Sequence, residues 1–150
     1  MTQSEADRPR ATGGCLCGAV CYEVSGPLRD VIVCHCGQCR RAHGHVAAYS
    51  AARREHLRLV KDSDLCWYHP QDRNDSALRG FCGVCGASLF WHMPDSPTVS
   101  IAAGTLDPPT GLRTIKEIYT QDAADYYEVE NAAEPEYLLG SDSSQPQEQV

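Results

Sequence analysis

Hydrophobic residues fall in short runs along the chain. "AVCYEV" alternates apolar and polar positions, and "VIVC", "HVAAYS", "HLRLV", "LCWYH", "ALRGF", "SLFWHM", "TVSIAAG" and "TIKEIY" each last four to seven residues. Most are rich in β-branched or aromatic side chains and are bounded by Gly, Pro, Asp or Ser, the punctuation of strands joined by turns. No window carries a long apolar stripe at the 3.6-residue helical period. Only "QCRRAHG" and "DAADYYEVE" have helical character, and each could form a short helix, so one or two are expected. The expected fold is therefore mostly β, with short strands in a sandwich-like or open-barrel arrangement.

The ends differ from the middle. Residues 1–12 are polar and read as a flexible arm. From Ala133 the chain runs "AEPEYLLGSDSSQPQEQV", acidic and rich in Ser, Gln and Pro, with too little apolar content to order itself apart from Tyr137, Leu138 and Leu139. One domain over 13–132 is expected between the arm and this tail over 133–150. At 150 residues the chain can bury a real core. Its formal net charge of −7 repels phosphate backbones, so nucleic-acid binding is not expected. No run is long and apolar enough to span a bilayer, and the N-terminus lacks the apolar segment of a secretory signal, so a cytoplasmic protein is expected.

The cysteines change the picture most. Nine are present, and seven of them form three clusters: Cys15 and Cys17, then Cys34, Cys36 and Cys39, then Cys82 and Cys85. Thiols stay reduced in the cytosol, so metal ligation or catalysis is a better use for them than disulfides. In "CLC", residues i and i+2 of a strand face the same side and can grip one ion. "CGVC" followed by Gly86 has the turn spacing of a zinc half-site, and a glycine there permits a positive φ that turns backbone N–H groups toward the sulfurs. Cys15, Cys17, Cys82 and Cys85 would complete one closed, structural four-cysteine site. Cys34, Cys36 and Cys39 then remain together in one loop, where three ligands plus one exchangeable position make the pattern of a catalytic zinc site. Seven thiols thus divide as four plus three, which implies two Zn2+ per chain.

Two other partitions stay open at this level. One pairs Cys36–Cys39 with Cys82–Cys85 as a single ribbon, although the 42 residues between them exceed the usual 15–20. Alternatively His35 or His43 could complete the second set and make both sites structural. Cys21 and Cys66 stand alone in apolar strands and read as core residues. Arg40 and Arg41, beside the thiol loop, are candidates to bind a substrate carboxylate. His43 and His45 are weaker candidates for acid–base work, and Trp67 and Trp91 read as core or pocket wall.

The stretches "GGCLCGAV", "CHCGQCRRAHG" and "FCGVCGASLFW", in this order and followed by "AAGTLD", resemble the glutathione-dependent formaldehyde-activating enzyme family over roughly 13–120. The resemblance implies an all-β zinc fold of short antiparallel strands with one or two short helices, the β-tent. It implies a structural zinc on Cys15, Cys17, Cys82 and Cys85 and a catalytic zinc on Cys34, Cys36 and Cys39. The implied activity is that of a carbon–sulfur lyase acting on a small thiol and a small aldehyde, as in the joining of glutathione and formaldehyde to S-(hydroxymethyl)glutathione. A zinc held by three thiolates carries net charge −1 and is a poor Lewis acid, which favours thiol capture over water activation. The alternative is a non-catalytic, zinc-stabilised module that binds thiols or proteins. The chain departs from the family in having "KDSD" after "HLRLV" and Tyr126 and Tyr127 where a tryptophan is frequent.

Overall fold

The computed structural model describes residues 9–71 and 77–129. The tail from Ala133 lies outside the described residues, as do residues 1–8 of the expected arm. Every apolar run singled out above forms a strand. The strands are β1 (Ala11–Gly14), β2 (Cys21–Val24), β3 (Arg29–Cys34), β4 (Ala47–Arg53), β5 (Leu57–Lys61), β6 (Leu65–Tyr68), β7 (Leu78–Cys82), β8 (Ser88–His92), β9 (Thr98–Ala102) and β10 (Thr114–Ile118). The helix α1 (Gly37–His43) lies between β3 and β4. β1 begins at Ala11, so two residues read as arm, Ala11 and Thr12, are strand.

The strands build two sheets, one of three strands in the order β1-β2-β5 and one of seven in the order β10-β3-β4-β9-β8-β7-β6. Antiparallel pairing holds throughout with one exception, because β10 enters parallel to β3 at the edge of the large sheet. A first core joins the two sheets through Tyr22, Val24, Leu89, Phe90, Val99 and Ile101. Each such side chain contributes about 1.5–3 kcal/mol by leaving water. Tyr22 is fully buried, meets Phe90 edge-on at 5.2 Å, and satisfies its hydroxyl on Thr105 at 2.7 Å. Gly13 pairs with Tyr22 across β1 and β2. A Cβ at Gly13 would stand 2.4 Å from both the Tyr22 ring and the Thr105 carbonyl, so only glycine fits that position.

A second core contains Ile32, Cys34, Cys39, Ala47, Tyr49, Ala102 and Ile118 and seats α1 on β3, β4 and β10. Strand alternation divides the two cores. On β9, Val99 and Ile101 enter the first and Ala102 the second.

Of the two candidate helices only the first forms; "DAADYYEVE" is not an α-helix over its described residues. Thr120–Asp122 makes one 3₁₀ turn and the residues after it are irregular. The cause is tertiary: Tyr126 and Tyr127 reach back to His45 and His35, and those contacts override a weak local helical preference.

Candidate metal centres and the adjoining cavity

Cys15 follows β1, and Cys82 ends β7, so the turns after these strands carry two half-sites from different sheets. The sulfurs of Cys15, Cys17, Cys82 and Cys85 lie within 4.8 Å of one another. Cys15 and Cys17 are 3.6 Å apart, and Cys17 and Cys82 are 3.8 Å apart. A tetrahedral ion with metal–sulfur bonds of about 2.3 Å spaces its sulfurs by about 3.8 Å, so the set fits such an ion. The local backbone is built for it. Gly86 has φ 75° and Gly18 φ 79°, both in the left-handed region. Around these turns the N–H groups of Val84 and Cys85 donate to the Cys82 sulfur and that of Val20 donates to the Cys15 sulfur, at 3.2–3.5 Å. These donors spread thiolate charge. Burial opposes ionisation of Cys15, but the Val20 N–H and the neighbouring thiols outweigh it and bring its pKa to about 6.

The second set is compact in sequence. Cys34 ends β3, Cys36 caps the N-terminus of α1, and Cys39 lies in the first turn of that helix. Their sulfurs also lie within 4.8 Å of one another. The Cys39 N–H donates to the Cys36 sulfur at 3.4 Å. Hydrogen bonds from Cys34 and then Cys39 draw the Cys36 pKa well below the usual thiol value, while its bond to Cys36 drives Cys34 upward. Among the described residues, no histidine or carboxylate joins the three. His35 is buried and bonds the Tyr127 hydroxyl at 2.6 Å and Glu117 at 3.3 Å. The Nε2 of His43 meets the Tyr49 hydroxyl at 2.9 Å. Neither histidine fills a fourth position, and the ribbon pairing of Cys36–Cys39 with Cys82–Cys85 is likewise excluded because these pairs belong to separate groups. Both groups are suited to holding a metal ion.

A cavity of about 520 Å³ adjoins α1. Its walls include Gly37 and Gln38, which lie between Cys36 and Cys39, together with Arg41, His43, Tyr49 and Arg79. Burial, and then the Arg79 charge, lower the His43 pKa to about 4, which leaves its ring neutral at pH 7. Burial raises the Tyr49 hydroxyl, which keeps its proton.

The two arginines proposed from sequence separate here. Arg41 lines the cavity, whereas Arg40 donates to the Asp122 carbonyl at 3.0 Å and supports the chain after β10. His45 is exposed and bonded to Tyr126. Cys21 is half-buried and donates to the Gly18 carbonyl. Cys66, read as a core residue, is exposed, because β6 is the edge strand of the large sheet. Trp67 is also exposed and stacks on Phe90, and Trp91 packs against the second core. Arg79, Tyr49 and the Tyr127–His35–Glu117 set were missed. Arg79 did leave a signal, as a lone charge inside the apolar run "ALRGF" three residues before Cys82.

The chain belongs to the glutathione-dependent formaldehyde-activating enzyme family, whose model matches residues 10–122. It is also similar to a Rhodobacter sphaeroides protein of known crystal structure, with 31% sequence identity and a TM-score of 0.54. That match covers 71% of this chain and 98% of the other.

Proposed function

We propose that the protein joins a small thiol to a small aldehyde, or cleaves the adduct, in the manner of an S-(hydroxymethyl)glutathione synthase. Cys34, Cys36 and Cys39 would hold a catalytic zinc, and Cys15, Cys17, Cys82 and Cys85 a structural one. The observation that carries the reading is the three-thiol group on one loop, with no fourth ligand among the described residues, beside a cavity large enough for a peptide-sized thiol. Bound there, zinc supplies a centre that lowers a thiol pKa and favours the nucleophilic thiolate at neutral pH.

The chain's own residues supply the rest. The Cys39 N–H steadies the Cys36 sulfur. His35, buried between two ligands in sequence, is clamped by Tyr127 and Glu117 and so keeps the loop in one conformation. Adding a thiol to an aldehyde moves one proton from sulfur to the carbonyl oxygen. His43 and Tyr49, hydrogen-bonded at 2.9 Å on the cavity wall, form a neutral pair able to hold and pass that proton.

Cobalt substitution tests the reading, because charge transfer from thiolate to cobalt responds to a new sulfur ligand. Glutathione should alter the visible spectrum, S-methylglutathione should alter it far less, and formaldehyde should be consumed faster than with glutathione alone. If no small thiol changes the spectrum, the protein is a zinc-stabilised binding module and the catalytic reading fails.

A further inference from the structure

The chain after β10 turns back onto the three-thiol loop. Tyr119, the residue that follows β10, adopts φ 53°, a left-handed conformation that non-glycine residues seldom take. It packs against the core that contains Cys34 and Cys39. From Tyr119 to Val129 no residue is buried, and residues 120–129 join no strand. The turn at the start of this segment closes on itself, with Asp122 N–H donating to the Tyr119 carbonyl and Ala123 N–H to that of Thr120. Side-chain contacts to positions around the thiols tie the rest down. Arg40, next to Cys39, donates to the Asp122 carbonyl at 3.0 Å. The Tyr127 hydroxyl meets Nδ1 of His35, which stands between Cys34 and Cys36, at 2.6 Å, and the two rings stack at 5.5 Å. Tyr126 meets Nδ1 of His45, two residues beyond α1, at 2.9 Å, and the Tyr127 ring stands edge-on to the same imidazole at 4.8 Å.

We infer that residues 119–129 are a strap that gates metal entry and release at the three-thiol centre, so that closure of the strap and occupancy of the centre favour one another. The inference rests on reading Cys34, Cys36 and Cys39 as a metal centre and not on the thiol chemistry proposed for it. Cys34 and Cys39 are almost fully buried, so an ion reaches or leaves them only when a neighbouring segment moves. The neighbours differ in what holds them. β3 and β4 are tied by their ladder and by core side chains, whereas residues 120–129 have neither. A segment with few buried apolar contacts opens at a low free energy, without global unfolding. Opening removes the contacts at positions 35, 40 and 45, which bracket the three ligands, and frees the loop to spread its thiols. Linkage makes the effect reciprocal: if an open strap weakens the metal, the metal holds the strap shut by the same factor. The ligands of the four-cysteine centre lie in the turns after β1 and β7 and touch none of these anchors, so its metal is insensitive to the strap.

The test follows zinc leaving the two-zinc protein for a chromophoric chelator. Transfer should proceed in two phases, one ion in each. The double variant Tyr126→Phe, Tyr127→Phe keeps both rings and removes both hydroxyls. It should speed the faster phase about tenfold, the worth of two modest hydrogen bonds, and leave the slower phase unchanged. Amide hydrogen exchange read by mass spectrometry supplies the reciprocal measurement. Withdrawing the first zinc from the parent protein should raise exchange over residues 119–129 about tenfold and leave β8 and β9 as they were. An unchanged fast phase, equal acceleration of both phases, or strap exchange indifferent to the first zinc would each overturn the inference. If the double variant does not fold, exchange in the parent with one and with two zinc ions decides alone. A protein that takes up one zinc only loses both the second centre and the strap, whereas two zinc ions with an indifferent strap reject the strap and retain the centre. The cobalt response to a thiol is read separately and stands apart from either result.

Discussion

Replacing Cys82 with serine should destabilise the protein more than replacing Cys39, and the structure sets the size of the gap. Both sulfurs are buried, at 0% and 3% exposure, so the cost of placing a hydroxyl in the interior is similar for each. What differs is the loop each ligand closes. Cys17 and Cys82 stand 65 residues apart, and their cluster ties the three-stranded sheet to the seven-stranded one. A crosslink over that span removes about 4 kcal/mol of unfolded-state freedom in the chain-entropy model, against about 2 kcal/mol for the short loop from Cys34 to Cys39. Metal affinity adds to both, on the order of 10 kcal/mol for a closed structural site. With net stabilities of about 5–15 kcal/mol, losing the long crosslink removes a large share. The difference of about 2 kcal/mol corresponds to a melting temperature roughly 4–8 °C lower for Cys82→Ser than for Cys39→Ser. Thermal melts followed by circular dichroism, with metal content measured on the same samples, provide the assay. If Cys39→Ser melts as low as Cys82→Ser, or lower, the division into structural and catalytic centres is wrong.

Other outcomes follow from single contacts. Elemental analysis of protein purified without chelator should approach two zinc ions per chain, and a value that stays near one after zinc is added contradicts the two-centre reading. Gly13→Ala drives a methyl group into the Tyr22 ring and the Thr105 carbonyl and should cost about 1–3 kcal/mol, read as a lower denaturant midpoint with unchanged slope. Tyr127→Phe removes the 2.6 Å bond to His35 and should cost about 1 kcal/mol; a variant as stable as the parent, with the same affinity for the second metal, refutes the clamp. The His43 pKa is about 4 in the folded protein, below the usual value of about 6.5, so between these values the unfolded chain binds more protons. Stability is therefore fully present above about pH 6.5 and falls as the pH drops toward about 4, and His43→Gln should flatten that limb of a plot of denaturation midpoint against pH.

The strands were legible because each apolar run was short, β-rich and bounded by turn residues, and such runs have few alternatives. The four-plus-three division of the cysteines was legible because strand and turn spacing restrict which thiols can meet. Local rules did not reach the features that depend on pairing between distant segments. Nothing in "TIKEIY" says that β10 will run parallel to β3, and nothing in "LCWYH" says that β6 will be an edge, which is why Cys66 was misread as core. "DAADYYEVE" was misread for the same reason, since its tyrosines are engaged by histidines more than 80 residues earlier. Arg40 and Arg41 looked equivalent in sequence, but adjacent helical positions point about 100° apart. One therefore meets the Asp122 carbonyl and the other the cavity.

Charge placement is compatible with the small anionic thiol proposed as substrate. The net charge of −7 argues against a phosphate backbone, which would face many surface charges at once. A small carboxylate meets a different field. At physiological ionic strength the Debye length is about 8 Å, so exposed acids beyond that distance are largely screened from a ligand at the cavity mouth. Inside, the effective dielectric is lower, and the near charges dominate. Among the described residues the wall there carries Arg79, Arg41 and a neutral His43. The neutrality of His43 follows from the same arrangement, because Arg79 adds to burial in suppressing its protonation.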